Sequence, residues 1–402
     1  MGTTIEQNDY PAGSPPACIA PQRILMVAHE WFADRPGGGG RYLQEVSCGL
    51  AQRGHKITVV VPHIHPDAPA VEVWKNVTIV RLSLGTNALG WLIRMFRELP
   101  RVLTKFGPFD VVHAHFAPMA LVPLWHPALR HTRRVCQFQG PWAGESRIEG
   151  SSSTHVALQH LLERITYARC ERFIVLSQAF ATLLSNDYGI PAQRVSVVPS
   201  GLDLARFHPA KDRQRLKEKL GLPPGPLVFT ARRLVHRMGL EILIQAWATV
   251  LESHPTAQLW IAGEGPLANT LASQVRACRL DTSITLLGRI DDERLIQCHQ
   301  AADAFVLPTV ALEGFGLVTL EALACGTPVL GTHEGATPEI LAPLEPSLLV
   351  PPNDVTALAT GLTNLLAREG LDEFRNVCRQ YVERHFGWPV ALGRIEALLA
   401  DG

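Results

Sequence analysis

Short, wholly apolar runs alternate with amphipathic ones along this chain, and that alternation restricts the fold more than any other feature. Arg23-Ile24-Leu25-Met26-Val27-Ala28 reads as a buried strand, followed by a Gly-rich loop at Pro36 to Gly40 and an amphipathic helix over Tyr42 to Arg53. Gly54 stops that helix and Lys56 to Val61 is the next strand. Further strands are expected at Asp110 to His115, Arg134 to Phe138, Arg172 to Leu176 and Val195 to Val198. Strands without polar alternation are buried on both faces, and in series with helices they form a parallel sheet covered on both sides. The rhythm breaks over Pro199 to Pro209, passes through a charged helix at Asp212 to Leu220, and restarts. Strands then fit Leu227 to Ala231, Gln258 to Ala262, Ile284 to Leu287, Ala304 to Leu307 and Val329 to Leu330. Helices fit Gly239 to Ser253, Leu267 to Cys278, Glu293 to Ala301, Leu317 to Cys325 and Asp354 to Arg368. Two doubly wound α/β domains facing a central cleft are therefore expected, with ligands beyond the carboxyl ends of the strands.

Composition narrows the partners. Lysine plus arginine balance aspartate plus glutamate at 37 each, so no basic field marks the chain as a nucleic-acid binder. The eight cysteines include no Cys-x-x-Cys pair, which argues against a disulfide framework or zinc knuckle and for a reducing, cytoplasmic setting. No apolar run is long enough for a membrane span. Residues 1–20 carry acids and prolines without a basic start and apolar stretch, and read as a disordered tail rather than a signal peptide. Leu89 to Thr104 is amphipathic and places Trp91, Leu92, Met95 and Phe96 beside Arg94, Arg97 and Arg101. A peripheral contact with the inner face of a membrane is compatible with it.

The run Leu312-Glu313-Gly314-Phe315-Gly316-Leu317-Val318-Thr319-Leu320-Glu321 carries the chemistry. Glycines let backbone N–H groups approach a ligand, and the helix that begins at Leu317 has free N–H groups in its first turn, which favour phosphate. Glu313 precedes that helix and Glu321 lies one turn inside it, suited to accept hydrogen bonds from hydroxyls. No Asp-x-Asp run or His-rich cluster suggests a metal site.

This motif resembles the donor half of retaining GT-B glycosyltransferases of family 4. So do Ala231-Arg232-Arg233-Leu234, Gly263-Glu264-Gly265-Pro266, Leu287-Gly288-Arg289 and Ala302 to Pro308, which follow in the family's order. The first half is similar to the acceptor domain through Pro36-Gly37-Gly38, Arg53 to Lys56 and Asp110 to His115. The resemblance implies 21–205 as the acceptor domain, 206–382 as the nucleotide-sugar domain, and 383–402 as a helix crossing back. It implies Glu313 on the donor sugar, Gly314, Phe315, Gly316, Leu317 and Val318 along the sugar and diphosphate, Glu321 on the ribose and Arg233 on the diphosphate. Gly37, Gly38 and Gly39 would approach the donor phosphate, with Gly263, Gly265 and Arg289 also on the donor. Two positions depart from the family. Met238 stands where a phosphate-binding lysine is common, leaving Arg237 or Arg232 to substitute. Gln139 stands where many relatives have a histidine, leaving His115 as the nearest imidazole. Trp142, Glu145 and Arg147, in the loop after Gly140, are candidates for acceptor binding. The implied activity is transfer of a hexosyl or N-acetylhexosaminyl group from a UDP- or GDP-sugar to a hydroxyl of a saccharide, lipid or small metabolite, with no further cofactor. A nucleotide-sugar epimerase of the same fold and a nucleotide-sugar-binding regulator without turnover remain the alternatives.

Overall fold

The computed structural model describes residues 19–35, 37–65, 67–84 and 88–400; the expected tail over 1–20 lies almost wholly outside the described residues, as does Pro36. The first sheet comprises β1 (Arg23–Val27), β2 (Lys56–Pro62), β3 (Val71–Trp74), β4 (Val77–Leu82), β5 (Val111–Ala114), β6 (Arg133–Phe138), β7 (Arg172–Val175) and β8 (Val195–Val197). Its order is β3-β4-β2-β1-β5-β6-β7-β8, parallel except for the β3–β4 hairpin. The second sheet comprises β9 (Leu227–Ala231), β10 (Gln258–Ala262), β11 (Ile284–Gly288), β12 (Ala304–Leu307), β13 (Val329–Thr332) and β14 (Leu349–Val350). It runs β11-β10-β9-β12-β13-β14, parallel throughout.

Burial follows the pleat. Ile24 and Met26 of β1 join one core layer with α1 (Gly38–Gln52), while Leu25 and Val27 join the other. That second layer is covered by α2 (Ala88–Phe106), α3 (Ala117–Trp125) and α5 (Ser153–Tyr167); α4 (Trp142–Ile148) packs on α5. Asp212, Asp291 and Asp354 each accept a backbone N–H three residues on, capping the helices that follow them.

The chain crosses between the halves twice at one place. The Leu202 N–H donates to Phe386 O at 2.9 Å, and a Cβ on Gly201 would lie 2.6 Å from Trp388 Cα, so only glycine fits there. The last helix, Trp388–Ala400, returns to the first sheet, burying Ile395 and Leu399 in the α1 layer. Glu396 fixes it through Arg53 at 2.6 Å and His55 at 2.9 Å.

Three local expectations change. The helix expected from Tyr42 starts at Gly38, so Gly38, Gly39 and Gly40 form its first turn. A Cβ on Gly40 would lie 3.2 Å from the Phe32 backbone, and one on Gly39 2.8 Å from Gln139 Oε1, so these glycines are closely approached within a helix rather than free in a loop. The segment after Pro141 is helical rather than a loop, because the Glu163 carboxylate accepts the Trp142 and Ala143 N–H groups at its start. The hairpin β3–β4 adds two strands that the apolar pattern does not single out.

Candidate active site

In the second sheet β9 and β12 are neighbours although they are distant in sequence, so the loops leaving their carboxyl ends diverge around a crevice. Arg232, Arg233 and Arg237 follow β9; Thr309 and Glu313 follow β12. Arg232, not Arg233, pairs with Glu313. Its Nη2 donates to Glu313 Oε2 at 2.6 Å and its Nη1 to Thr309 Oγ1 at 2.7 Å, while the Thr309 hydroxyl donates to the same carboxylate oxygen at 2.9 Å. Burial alone would raise the Glu313 carboxyl, but Arg232 and Thr309 hold it below the usual carboxylate range. The loop is clamped from below. Glu334 accepts the Leu312 N–H at 3.0 Å, Ala336 donates to Glu313 O at 2.9 Å, and a side chain on Gly335 would strike that same carbonyl.

Glu321 is buried in the helix Leu317–Ala324. Burial opposes its charge; His299 at 3.7 Å and Arg41 at 3.6 Å, with Arg206 nearby, bring its carboxyl below the ordinary value. Arg41 belongs to α1, so the first domain reaches across to this glutamate. Arg41 also pairs with Asp292 at 2.7 Å and lies over the Phe32 ring at 4.5 Å. Phe180 presses on Gly314, where a Cβ would sit 2.6 Å from its ring, and Ser177 Oγ donates to Gly314 O at 2.8 Å. Leu317 packs close to Gly38, bringing the glycine-rich start of α1 against the motif helix.

The cations of the β9 loop meet acids from α4. Arg237 is buried and donates to Leu312 O at 3.2 Å and Glu145 Oε1 at 3.0 Å. Arg233 keeps 67% of its side chain exposed, 3.8 Å from the other Glu145 oxygen. Glu149 accepts the backbone N–H groups of His236 and Arg237 at 3.2 and 3.3 Å. Met238, where a lysine is common in the family, is a core residue, while the side chain of the adjacent Arg237 reaches Glu145. Glu145 thus faces the donor-side arginines, while Arg147 is exposed and Trp142 is half-buried beside Phe116, ring centroids 6.1 Å apart.

From sequence His115 is the nearest imidazole to the site, with a structural histidine tying the strand end to its loop as the equal alternative. His115 is 1% exposed, shares a hydrogen bond with His113 at 3.2 Å, and burial holds its ring well below the usual histidine range. It is a neutral interior group, not an exposed base. Gln139 lies against Gly39 at the start of α1, where Glu30 accepts the Gly40 N–H at 3.2 Å. Gly37, too, has Glu30 as its nearest neighbour.

Gly263 and Gly265 have a structural reason for being glycine. A Cβ on Gly263 would fall 1.7 Å from Arg232 O, and one on Gly265 2.3 Å from Leu234 O. Both line a pocket with Leu234, Glu264, Asn269 and Gly288, and Arg289 is exposed directly after it in sequence. Sequence reasoning missed Arg41, His29, Glu149 and His299, which join the site through contacts distant along the chain, and Glu30, which accepts the Gly40 N–H ten residues on. His29 follows β1, packs against Phe116 with tilted rings 4.5 Å apart, and is lowered by burial, keeping its imidazole neutral near neutral pH.

Two doubly wound sheets apposed over their strand ends are the architecture of GT-B glycosyltransferases. Sucrose-phosphate synthase from Thermosynechococcus elongatus matches with a TM-score of 0.82 at 23% identity, over 94% of this chain and 98% of that one. Anabaena HepE, solved with UDP and glucose, matches with a TM-score of 0.77 at 19% identity, over 95% and 100%. In sequence, the family model "Glycosyl transferases group 1" matches residues 212–385, and "Glycosyltransferase Family 4" matches residues 36–206. The GDP-mannose-dependent monoacylated α-(1-6)-phosphatidylinositol monomannoside mannosyltransferase of Corynebacterium glutamicum is 34% identical over 404 residues, spanning 94% of this chain and 98% of that one. The chain belongs to the family 4 glycosyltransferases and is a glycosyltransferase of the GT-B fold.

Proposed function

We propose that this enzyme transfers a hexosyl or N-acetylhexosaminyl group from a nucleoside-diphosphate sugar to an acceptor hydroxyl, with retention at the anomeric carbon. The observation that carries this reading is the pair of buried, ionised carboxylates, Glu313 and Glu321, at the two ends of one glycine-rich turn and helix start. Glu313 accepts sugar hydroxyls with its remaining lone pairs, and Glu321 accepts the ribose hydroxyls, helped by a buried Oε2 that accepts no hydrogen bond from the described residues. Arg237 and Arg233 take the diphosphate, where leaving-group charge develops; stabilising that charge lowers the barrier. The donor base lies toward Gly263, Gly265 and Arg289.

The first sheet is the acceptor-binding domain, its wall formed by Phe116 and Trp142. A UDP- or GDP-sugar is the donor: the Corynebacterium relative is named for GDP-mannose and HepE is solved with UDP and glucose. Acceptor attack from the face the leaving group departs, with a donor phosphate oxygen taking the hydroxyl proton, accounts for retention and requires no metal. Purified protein with UDP- and GDP-sugars and an acceptor panel tests this. Acceptor-dependent nucleotide release insensitive to EDTA, with a retained anomer in the product, is expected. Conversion of the donor to its epimer without acceptor, or an inverted product, would overturn it.

A further inference from the structure

Beyond sugar transfer, and independently of it, we propose that the outer face of α2, α3 and α5 docks onto an anionic lipid bilayer. Helix α2 turns Met95, Leu99 and Val102 inward and leaves Ile93 and Phe96 facing out, Phe96 at 60% exposure. This refines the sequence reading, which grouped Trp91, Leu92, Met95 and Phe96: Met95 is core and Trp91 packs against the core, whereas Phe96 is exposed. The Phe96 ring lies 6.1 Å from that of His126, and its neighbour Trp125 is half exposed. The Trp125 indole N–H donates to Ile165 O at 3.3 Å on α5. One and two turns earlier on α5, Leu161 and Leu158 are 53% and 55% exposed. Exposed apolar side chains therefore lie on all three helices of this face.

Its charge is one-sided. Arg94, Arg97, Arg101 and Lys105 project along the exposed side of α2, and Arg164 along that of α5. Arg169 stacks 3.7 Å above Trp125. The acid on α2, Glu98, is neutralised by Arg101 at 2.6 Å. Glu163 of α5 points inward, accepting from Trp142, Ala143 and the Tyr188 hydroxyl. In the second domain Val377 is the one large apolar side chain left exposed among the described residues before the crossing helix. Aromatic and aliphatic groups interleaved with arginines on the outer side of helices suit a headgroup boundary, where the stems insert and the guanidiniums reach phosphates. No helix of the described residues is long and apolar enough to cross a membrane, so the contact is peripheral.

The test is co-sedimentation of the full chain with phosphatidylcholine vesicles, with and without phosphatidylglycerol, at low and raised salt. Binding should rise about tenfold or more with phosphatidylglycerol and fall with salt. The triple variant Phe96→Ser, Leu158→Ser, Leu161→Ser and, separately, Arg94→Gln, Arg97→Gln, Arg101→Gln should each lose that gain with an unchanged unfolding midpoint. Equal binding to both vesicle types, or wild-type binding by both variants, overturns the proposal. So does sedimentation velocity showing a dimer that the serine variant dissolves, because a second copy would then cover the face.

Discussion

The two halves of this enzyme treat charge in opposite ways. In the second half the Glu313 carboxylate beyond β12 is buried and paired within its own domain by Arg232, while Arg237 and Arg233 reach across to Glu145 of the first half. In the first half the strand ends present the His29, Phe116 and Trp142 rings, and its histidine pair is sealed inside as neutral imidazole. A charge that acts in the reaction has to be fixed beforehand, and the buried Arg232 pair fixes that of Glu313. An acceptor needs shape and a wall against water, which rings supply without fixed charge. Catalytic effects of mutation should therefore be steep on one side of the cleft and shallow on the other.

The steepest is Glu313→Gln, which keeps a hydrogen-bonding side chain but removes the charge. Turnover should fall by about 10²–10³. Glu313→Ala is the poorer probe: it strands the Arg232 guanidinium in a buried site, and losing one partner of a buried pair costs about 3–5 kcal/mol. Arg232→Met asks what that guanidinium does. The Glu313 carboxyl lies below its ordinary 4.5, so with Arg232 present it is charged throughout the neutral range and contributes stability that is lost only as pH falls through the lowered value. Without Arg232, burial dominates and the carboxyl rises. The variant's kcat should then climb with pH across the range where wild type is flat. A flat profile in the variant would show that Arg232 does not set the charge of Glu313.

Arg237→Met comes next. If Arg237 stands in for the missing lysine, donor KM should rise about 10–100-fold, as expected from losing a charge-assisted hydrogen bond to phosphate, while Arg233→Met, on a more exposed side chain, should cost less. Equal losses would mean that the Arg233 side chain swings in from solvent once donor is bound.

How legible these groups are in the sequence depends on whether the contact is local. Glu313 and Glu321 stand eight residues apart around one helix start, so their pattern is readable. The partner of Glu313 is 81 positions away, and adjacent Arg232 and Arg233 are indistinguishable until the fold turns one inward and the other out. The strand-helix rhythm was readable because both sheets are apolar. The hairpin β3–β4 was not: its edge strand is exposed, and its turn uses Lys75 and Asn76, both at positive φ, rather than a glycine pair. Helix α4 was hidden because its start is capped by Glu163, about twenty residues further on. His115 stood at a strand end, where a site histidine and a buried structural one look alike in sequence; only the packing shows it 1% exposed.

Glu145→Gln probes the seam between the halves and should have a small effect. Glu145 occupies both cleft arginines that the donor diphosphate would use, so neutralising it should tighten UDP or GDP binding about 2–5-fold, the scale of a partly exposed ion pair. Added salt should shrink the difference. Weaker nucleotide binding would mean instead that Glu145 aligns the guanidiniums rather than competing for them.

The smallest effect on turnover belongs to His115→Gln. His113 is pushed down to about 3 and His115 well below its ordinary 6.5, both by burial first, with His113 further lowering His115. Below pH 6.5 the unfolded chain takes up protons that the folded pair refuses, so stability is complete above that pH and lost as pH falls toward 3. The loss is about 1.4 kcal/mol per pH unit for each histidine. His115→Gln should thus leave kcat within a few-fold while roughly halving this pair's share of the acid destabilisation, measured by denaturant unfolding at stepped pH. A large loss of kcat with an unchanged unfolding profile would put His115 in the chemistry and erase the contrast between the two sides of the cleft.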